Sequence, residues 1–210
     1  MKKKLILIGV AAILVMTALI GGSLAYFQAD GREVRQQLGT RRLGISLMGD
    51  TEGPERLQDG NLRFDTVMPG AEIKKEIFVE NTENTELYAR VTVSKYWLRR
   101  ENGRLEKAMD LNAEKIELDY RESDWLLLKE DTEQLVLYYT KPLAPGERTA
   151  SIMDQIKIST DIGNAYANTG VGLDIEADAV QTVAAKDAIL SEWGVLATID
   201  GNGVITAVEE

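Results

Sequence analysis

From residue 43 onward, apolar and polar residues alternate with a period of two in a series of short segments. The alternation is clearest in KIELDYR (115–121), LYARVTVSKYW (87–97) and GVGLDIEADAVQTV (170–183). A period of two places successive side chains on opposite faces of a β-strand. Counting the weaker segments, the pattern predicts seven or eight strands arranged as an antiparallel two-sheet sandwich of jelly-roll type. The predicted fold class is therefore all-β.

Turn-forming residues separate the predicted strands. Pro69-Gly70 and Pro145-Gly146 suit tight turns, because proline presets φ and glycine accepts positive φ. Asn102-Gly103 predicts one hairpin, residues 130–133 a second and the DGNG stretch at 200–203 a third. We expect a loop at 51–61, and a single strand after Pro69 with Ile73, Ile77 and Val79 on its inward face.

Two segments depart from the period of two and predict one or two short helices. LEKAMDLNAEK (105–115) has a helix-forming composition. In AAKDAILSEW (184–193), Ala185, Ile189 and Trp193 are spaced by four residues, as on one face of a helix.

The N-terminus has the pattern of an export signal. Lys2, Lys3 and Lys4 precede the uncharged run LILIGVAAILVMTALI (5–20), and two glycines follow it. Small residues at 23 and 25 favour cleavage after Ala25, with Tyr26 as the neighbouring alternative. An uncleaved anchor spanning residues 5–27 is also long enough to cross a bilayer. Both alternatives export the rest of the chain, to the extracellular matrix or the cell surface, because the lysines stay in the cytoplasm.

The chain accordingly divides into four predicted parts. A signal peptide or signal anchor occupies 1–25, and a polar arm without periodicity occupies 26–42. The β-sandwich domain follows at 43–196, and a hairpin extension at 197–210 completes the chain.

Composition excludes several classes of chemistry. The chain has no histidine and no cysteine, which excludes Ser–His and Cys–His nucleophiles and the usual zinc sites. Its formal charge of −10 repels nucleic-acid phosphates, so we expect no nucleic-acid partner. The carboxylate pairs Asp119–Glu122 and Glu130–Asp131 are typical of solvated strand edges and turns. We therefore expect no enzymatic activity and no cofactor or metal.

Aromatic residues leave one binding hypothesis open. Trp97, Trp125, Tyr138 and Tyr139 are candidates for an exposed sugar-binding patch, although aromatic residues on alternating strands more often fill a core. The pattern favours the core for Trp97 and Tyr139 and leaves Tyr138 undecided.

The order of several motifs resembles the TasA/camelysin family of Gram-positive surface and biofilm-matrix proteins. GGSLAYF resembles the signal peptides cleaved by SipW-type signal peptidases, with Ser23 in place of the usual Thr. MPGAEIKKEIFVENTENTELYARV, the pair Tyr138-Tyr139, LAPGE and EADAVQ followed by Trp193 continue the likeness through residue 196. The resemblance implies a jelly-roll sandwich, a SipW-type peptidase as partner during export, and matrix fibres built by strand donation.

With no catalytic site in the pattern, we expect function to come from surfaces. A sandwich has edge strands with unpaired N–H and C=O groups, and an extended peptide can pair with such an edge. The hypothesis is that the 26–42 arm of one copy adds to the next copy, with Phe27 and Val34 as anchors, and gives a homopolymer to which other matrix proteins bind. The alternative is a monomeric, membrane-anchored surface binding module or adhesin, and a third, weaker alternative is a secreted hydrolase that uses carboxylates.

Overall fold

The computed structural model describes residues 44–50, 54–56 and 61–210. The signal segment and the arm lie outside these residues, as does Leu43. The described part contains one α-helix and fourteen strands, so the prediction of seven or eight strands is wrong; several of the observed strands have only three to five residues. The strands are β1 (Ile45–Asp50), β2 (Pro54–Arg56), β3 (Asn61–Phe64), β4 (Glu72–Lys74), β5 (Ile77–Asn81), β6 (Leu87–Glu101), β7 (Arg104–Lys107), β8 (Ile116–Tyr120), β9 (Trp125–Glu130), β10 (Gln134–Tyr139), β11 (Met153–Ile158), β12 (Thr169–Gln181), β13 (Leu196–Ile199) and β14 (Ile205–Glu209). Helix α1 spans Ala185–Trp193, and single 3₁₀ turns lie at Ala113–Lys115 and Asn164–Tyr166.

The first layer of the sandwich has the strand order β3-β12-β6-β10-β9, all antiparallel. Its centre is the pair of long strands β6 and β12, which stay in register from Leu87↔Gln181 to Arg99↔Thr169. Strand β7 folds back on the end of β6 through the predicted Asn102-Gly103 hairpin, where both residues have positive φ.

The second layer consists of two short sheets, β2-β1-β5 and β4-β11-β8, that backbone hydrogen bonds join side by side. The N–H of Ile152 donates to the Ile77 carbonyl at 2.7 Å, and the N–H of Thr149 donates to the Val79 carbonyl at 2.9 Å. The N–H of Lys75 likewise donates to the Asp154 backbone carbonyl at 3.2 Å. Strands β4 and β5 therefore run as one interrupted strand beside β11 and the segment before it, and the single strand predicted after Pro69 is in fact broken at residues 75–76.

The main core fills the space between the two layers. Alternate residues of β6, β12, β5 and β11 supply it, and most are fully buried. They include Ile77, Val79, Ala89, Val91, Val93, Trp97, Ile156, Ile158, Val171, Leu173, Ile175 and Ala177. The inward faces are the ones that the alternation predicts, and the predicted all-β sandwich with short helical segments is confirmed.

A second, smaller core lies on the outward face of the first layer. Helix α1 and the β13–β14 hairpin cover Tyr88, Tyr138 and Val180 there, and contribute Ile189, Trp193, Val195 and Ile205. The Tyr88 hydroxyl donates to the Gly203 carbonyl at 2.7 Å, and the Ile205 N–H donates to the Thr140 carbonyl at 2.8 Å. The predicted C-terminal hairpin is present, and it packs on the sandwich.

Two local predictions are wrong. Residues 104–107 form strand β7 and only 113–115 are helical, because the N–H of Ala108 continues the hairpin by donating to the Trp97 carbonyl. The segment expected as a loop at 51–61 contains β2, which pairs with β1. Of the helices in the described residues, none has the length and apolar character needed to cross a membrane.

Candidate functional site

The four aromatic candidates for a sugar-binding patch are all buried. Trp97 and Tyr139 lie in the main core with Trp125, whose ring centroid is 5.1 Å from that of Tyr139. Tyr138 lies in the second core, 5.4 Å from the Trp193 ring. These side chains therefore stabilise the fold, and the exposed-patch hypothesis is wrong for all four.

The carboxylates singled out in the sequence have structural partners. Asp119 accepts hydrogen bonds from Gln155 Nε2 at 3.0 Å and Lys157 Nζ at 3.2 Å. The bond from Gln155, and then that from Lys157, lowers the pKa of the Asp119 carboxyl. A carboxyl with a lowered pKa is ionised at neutral pH and is not available as a general acid. Glu122 is exposed, and Glu130 lies on β9.

Two further aspartates organise turns. Asp131 Oδ1 accepts the N–H groups of Glu133 and Gln134, which closes the β9–β10 hairpin. Asp200 Oδ1 accepts those of Asn202 and Val204, so DGNG is the predicted hairpin turn. Within the described ranges no three acidic residues are grouped so that they could hold a metal ion.

The features with binding potential are the edges of the two layers. In the described part of the chain, β3 and β9 end the first layer and β2 and β8 end the second, while the short strands β4 and β7 each pair with another strand on one side only. Edge strands invite pairing with another chain unless they are short, bulged, charged or interrupted by proline. The four edges differ in how far they are protected in this way.

Three of the edges carry such protection. Strand β2 has three residues and begins with Pro54, which has no N–H to donate. Strand β3 has four residues, and Arg63 on it donates to the Leu173 carbonyl and pairs with Asp174 at 2.9 Å. Strand β9 has a register shift against β10 and contacts β14.

Strand β8 is the least protected edge. It also has a register shift against β11, near its Tyr120 end, but the stretch from Ile116 to Asp119 pairs in continuous register. Its five residues alternate, with Ile116, Leu118 and Tyr120 directed to the main core and Glu117 and Asp119 exposed. The Lys115 carbonyl accepts from Ser159, on the β11 side. Because N–H and C=O groups of neighbouring residues point to opposite sides of a strand, those of Ile116 and Leu118 point away from β11, toward the open side.

A buried lysine closes one end of this edge. Lys95, on the inward face of β6, is only 4% exposed, and its Nζ crosses between the layers to donate to the Ile116 carbonyl at 2.8 Å. A groove of about 500 Å³ begins at this point. It is lined by Lys95, Glu114, Glu117, Leu118, Asp131 and Thr132. The open part of the β8 edge at Leu118 thus lies in a groove with three carboxylates.

A different environment surrounds Tyr96, on the outward face of the first layer. Its hydroxyl lies 3.0 Å from both carboxylate oxygens of Asp174, and burial first, then this hydrogen bond, raises the pKa of Tyr96 to about 12. The Arg63 guanidinium and the Lys107 ammonium lie 5.2 and 5.1 Å from the ring centroid. A Cβ on Gly172 would lie 2.3 Å from the ring, so glycine is needed for this packing.

The residues predicted for export and assembly are not in the described part of the structure. Ala25, Tyr26, Phe27 and Val34 all precede residue 44. Their cleavage and pairing roles stay predictions. Sequence reasoning missed Lys95, although a signal was present: a lysine stands at an inward position between Val93 and Trp97 in the alternation of β6.

Comparison with known proteins adds little to this picture. No family model and no curated protein matches the sequence. Among solved structures, the chain is similar to a point mutant of the carbohydrate-binding module CBM3b from the cellulosomal cellobiohydrolase 9A of Clostridium thermocellum. Identity is 15%, the TM-score is 0.31, and the match covers 66% of this chain and 96% of that one. A likeness at this TM-score carries no conclusion about function, and the resemblance to the TasA/camelysin family stays a prediction.

Proposed function

We propose that this chain is an exported, non-enzymatic structural protein of the cell surface or biofilm matrix. Copies assemble head to tail into fibres when the N-terminal arm of one copy adds as a strand to the sandwich of the next. The observation that carries the proposal is the open β8 edge, which ends the second layer of the described structure with backbone groups directed outward.

The distribution of charge supports the proposal. The arm at 26–42 has four arginines, Arg32, Arg35, Arg41 and Arg42, against Asp30 and Glu33. The whole chain has a net charge of −10, so the excess of acidic residues lies in the sandwich. Opposite charges on arm and body favour their association and steer the encounter.

The contact between an arm and a distant edge is heterologous, because each copy uses one surface as donor and another as acceptor. Contacts of this kind do not close on themselves unless the rotation between copies happens to form a ring, and otherwise they produce a filament. Main-chain hydrogen bonds of the added strand supply affinity, and side chains at alternate positions select the register.

Deletion of residues 26–38 from the exported chain tests the proposal. We expect the deleted chain to fold and stay monomeric, whereas the chain beginning at Tyr26 forms fibres visible by electron microscopy. A matched control replaces 26–38 with a Gly/Ser segment of equal length, which keeps the reach of the arm but removes its side chains. Undiminished fibres from either variant would contradict the proposal.

The alternative function predicts a different result for the exported protein. A membrane-anchored monomeric binding module predicts full-length protein in the membrane fraction and no polymer at any concentration. N-terminal sequencing of the exported protein then shows whether cleavage occurs after Ala25 or Tyr26.

A further inference from the structure

We infer that the acceptor for the basic arm of a second copy is the β8 edge at Leu118, inside the acidic groove. The inference rests on the proposed function and names the site at which it acts. Three observations on the described residues carry it: the accessible edge, the charge of the groove and the position at which the chain enters the sandwich.

The first observation concerns the stretch of β8 that remains open. Lys95 already donates to the Ile116 carbonyl, and the Ile116 N–H donates to the Ala113 carbonyl, so both backbone groups of this residue are occupied. Leu118 is the next residue whose backbone groups point the same way. Pairing with an incoming strand therefore begins at Leu118, and Lys95 sets the limit of its register.

The second observation is the match of charge between groove and arm. Glu114, Glu117 and Asp131 line the groove, and the Lys95 ammonium at its base is directed to a backbone carbonyl. In an extended arm, Arg32 lies two residues before Val34 and therefore on the same face, while Glu33 and Arg35 lie on the other face. When Val34 faces the apolar side of the added strand, Arg35 lies on the same face of the sheet as Glu117, one of the groove carboxylates.

The third observation favours the arm of a second copy, and not the chain's own arm, as the strand that pairs with β8. The Gly44 carbonyl accepts from Thr82, so the chain enters the second layer beside the turn that follows β5. Ile116 pairs with Ile158 at the other end of that layer, where the Ile158 N–H donates to Ala71. Residues 71 and 81 are separated by roughly 30 Å along the strand direction.

Gly44 and the open part of β8 therefore occupy opposite corners of the second layer, with β5 and β11 between them. Ten residues link Val34 to Gly44 and span at most about 36 Å when fully stretched. To bring Val34 onto its own β8, this link would have to be nearly taut across the layer, with a large loss of conformational entropy. A neighbouring copy can present the same edge without that constraint.

Disulfide trapping tests the inference directly, because the chain contains no cysteine. One copy beginning at Tyr26 carries Val34→Cys or Arg35→Cys, so that both faces of the arm are sampled. A second copy with a size tag carries Glu117→Cys on β8 or, as the matched control, Asn61→Cys on the β3 edge. Both acceptor positions are exposed on edge strands. After mild oxidation, we expect at least tenfold more mixed dimer with Glu117→Cys than with Asn61→Cys.

The outcomes separate this inference from the proposed function. Fibres that form while cross-links favour Asn61→Cys, or show no preference, overturn the β8 acceptor and leave the proposed function standing. Absence of both fibres and cross-links overturns both. A chain that carries both Arg35→Cys and Glu117→Cys and forms mainly the intrachain disulfide at micromolar concentration shows that the arm pairs with its own sandwich, which contradicts a second copy as the occupant.

Charge variants supply a second measurement. Glu114→Gln with Glu117→Gln removes two carboxylates from the groove, and we expect arm-dependent association to weaken roughly three- to tenfold, with a smaller dependence on salt. The control, Glu176→Gln with Glu192→Gln, makes the same change of charge at exposed positions on β12 and α1. Equal effects of the two pairs would mean that net charge, and not the groove, governs association.

Discussion

The two faces of the first layer are both buried in part, but in different ways. The inward face packs against a whole second layer, and Trp97, Val93 and Leu173 on it are fully buried. Among the described residues, the outward face is covered only where α1 and the β13–β14 hairpin lie on it, and the remainder carries charged and polar residues such as Arg63, Asp174 and Glu176. One sheet therefore supports a large core built from strands distant in the sequence and a small core that residues 185–210 cover.

The presence of two cores explains why the alternation of apolar and polar residues is interrupted at particular strand positions. Tyr88 and Ala89 are consecutive and both buried, as are Tyr138 and Tyr139, because each pair places one residue in each core. An outward apolar residue in an otherwise alternating strand is thus a sign that another element covers the sheet at that position.

Truncation of the main core should have the largest effect. Trp97→Ala removes a side chain that is fully buried, whose ring packs 4.8 Å from Tyr166 and whose Nε1 donates to the Asn112 carbonyl. We expect the free energy of unfolding to fall by about 3–5 kcal/mol. Urea unfolding followed by circular dichroism measures this change, and a loss below 1 kcal/mol would show that the two layers do not depend on this contact.

Truncation of the second core should have an intermediate effect. Trp193→Ala removes the ring beside Tyr138 and the Arg90 guanidinium, which lies 5.4 Å from the ring centroid. We expect a loss of about 2–3 kcal/mol, below the usual 3–5 kcal/mol for a buried tryptophan, because the cluster is small and the site can relax. Amide hydrogen exchange should show faster exchange in α1 and the hairpin than in β6. Equal acceleration in β6 and β12 would mean that the two cores unfold as one unit.

Loss of a contact on the exposed part of the outward face should have the smallest effect on the free energy of unfolding at neutral pH. This effect should also depend on pH. Tyr96→Phe removes the hydrogen bond to Asp174, and we expect a loss of about 0.5–1.5 kcal/mol at pH 7. The folded-state pKa of Tyr96 is raised to about 12, so folding favours the neutral phenol. This stabilisation is complete below pH 10 and disappears as the pH rises from about 10 to 12.

Ultraviolet absorbance of tyrosinate, recorded from pH 9 to 13, measures that titration. The Tyr96→Phe variant should lose a step near pH 12, and the stability difference from the parent chain should shrink above pH 10. A difference that stays constant up to pH 12 would contradict the assignment of the raised pKa to Tyr96.

Much of the fold was predictable because alternation and turn chemistry are local. The hairpins at 102–103, 130–133 and 200–203 and the inward faces of β6, β8 and β12 all follow from short stretches of sequence. The structure of residues 105–108 was not predictable, because pairing with β6 overrides their helix-forming composition. Only the tertiary fold supplies this pairing. The break at 75–76 likewise depends on how β4 and β5 pair along β11.

The candidate site was less predictable than the fold. Alternation shows which face of a strand is buried, but not which strand lies at an edge, because strand order depends on pairs far apart in the sequence. Among the described strands, β8 pairs with β11 alone, and Lys95 reaches β8 from β6 across the core. The sequence of residues 116–120 alone indicates neither the edge position of β8 nor its contact with Lys95.

The environment of Asn81 bears on the shape of any assembly. This fully buried side chain donates to the Thr85 and Leu143 carbonyls and accepts from the Glu83 N–H, so it holds the turn whose Thr82 N–H binds the Gly44 carbonyl. The hydrogen bonds of one buried side chain thereby fix where Gly44 lies against the turn that follows β5. If the arm of each copy adds to the next copy at one site, as proposed, each addition repeats one rotation and one translation, and the polymer has a regular pitch. Asn81→Ala would then give irregular fibres even where the individual domains remain folded.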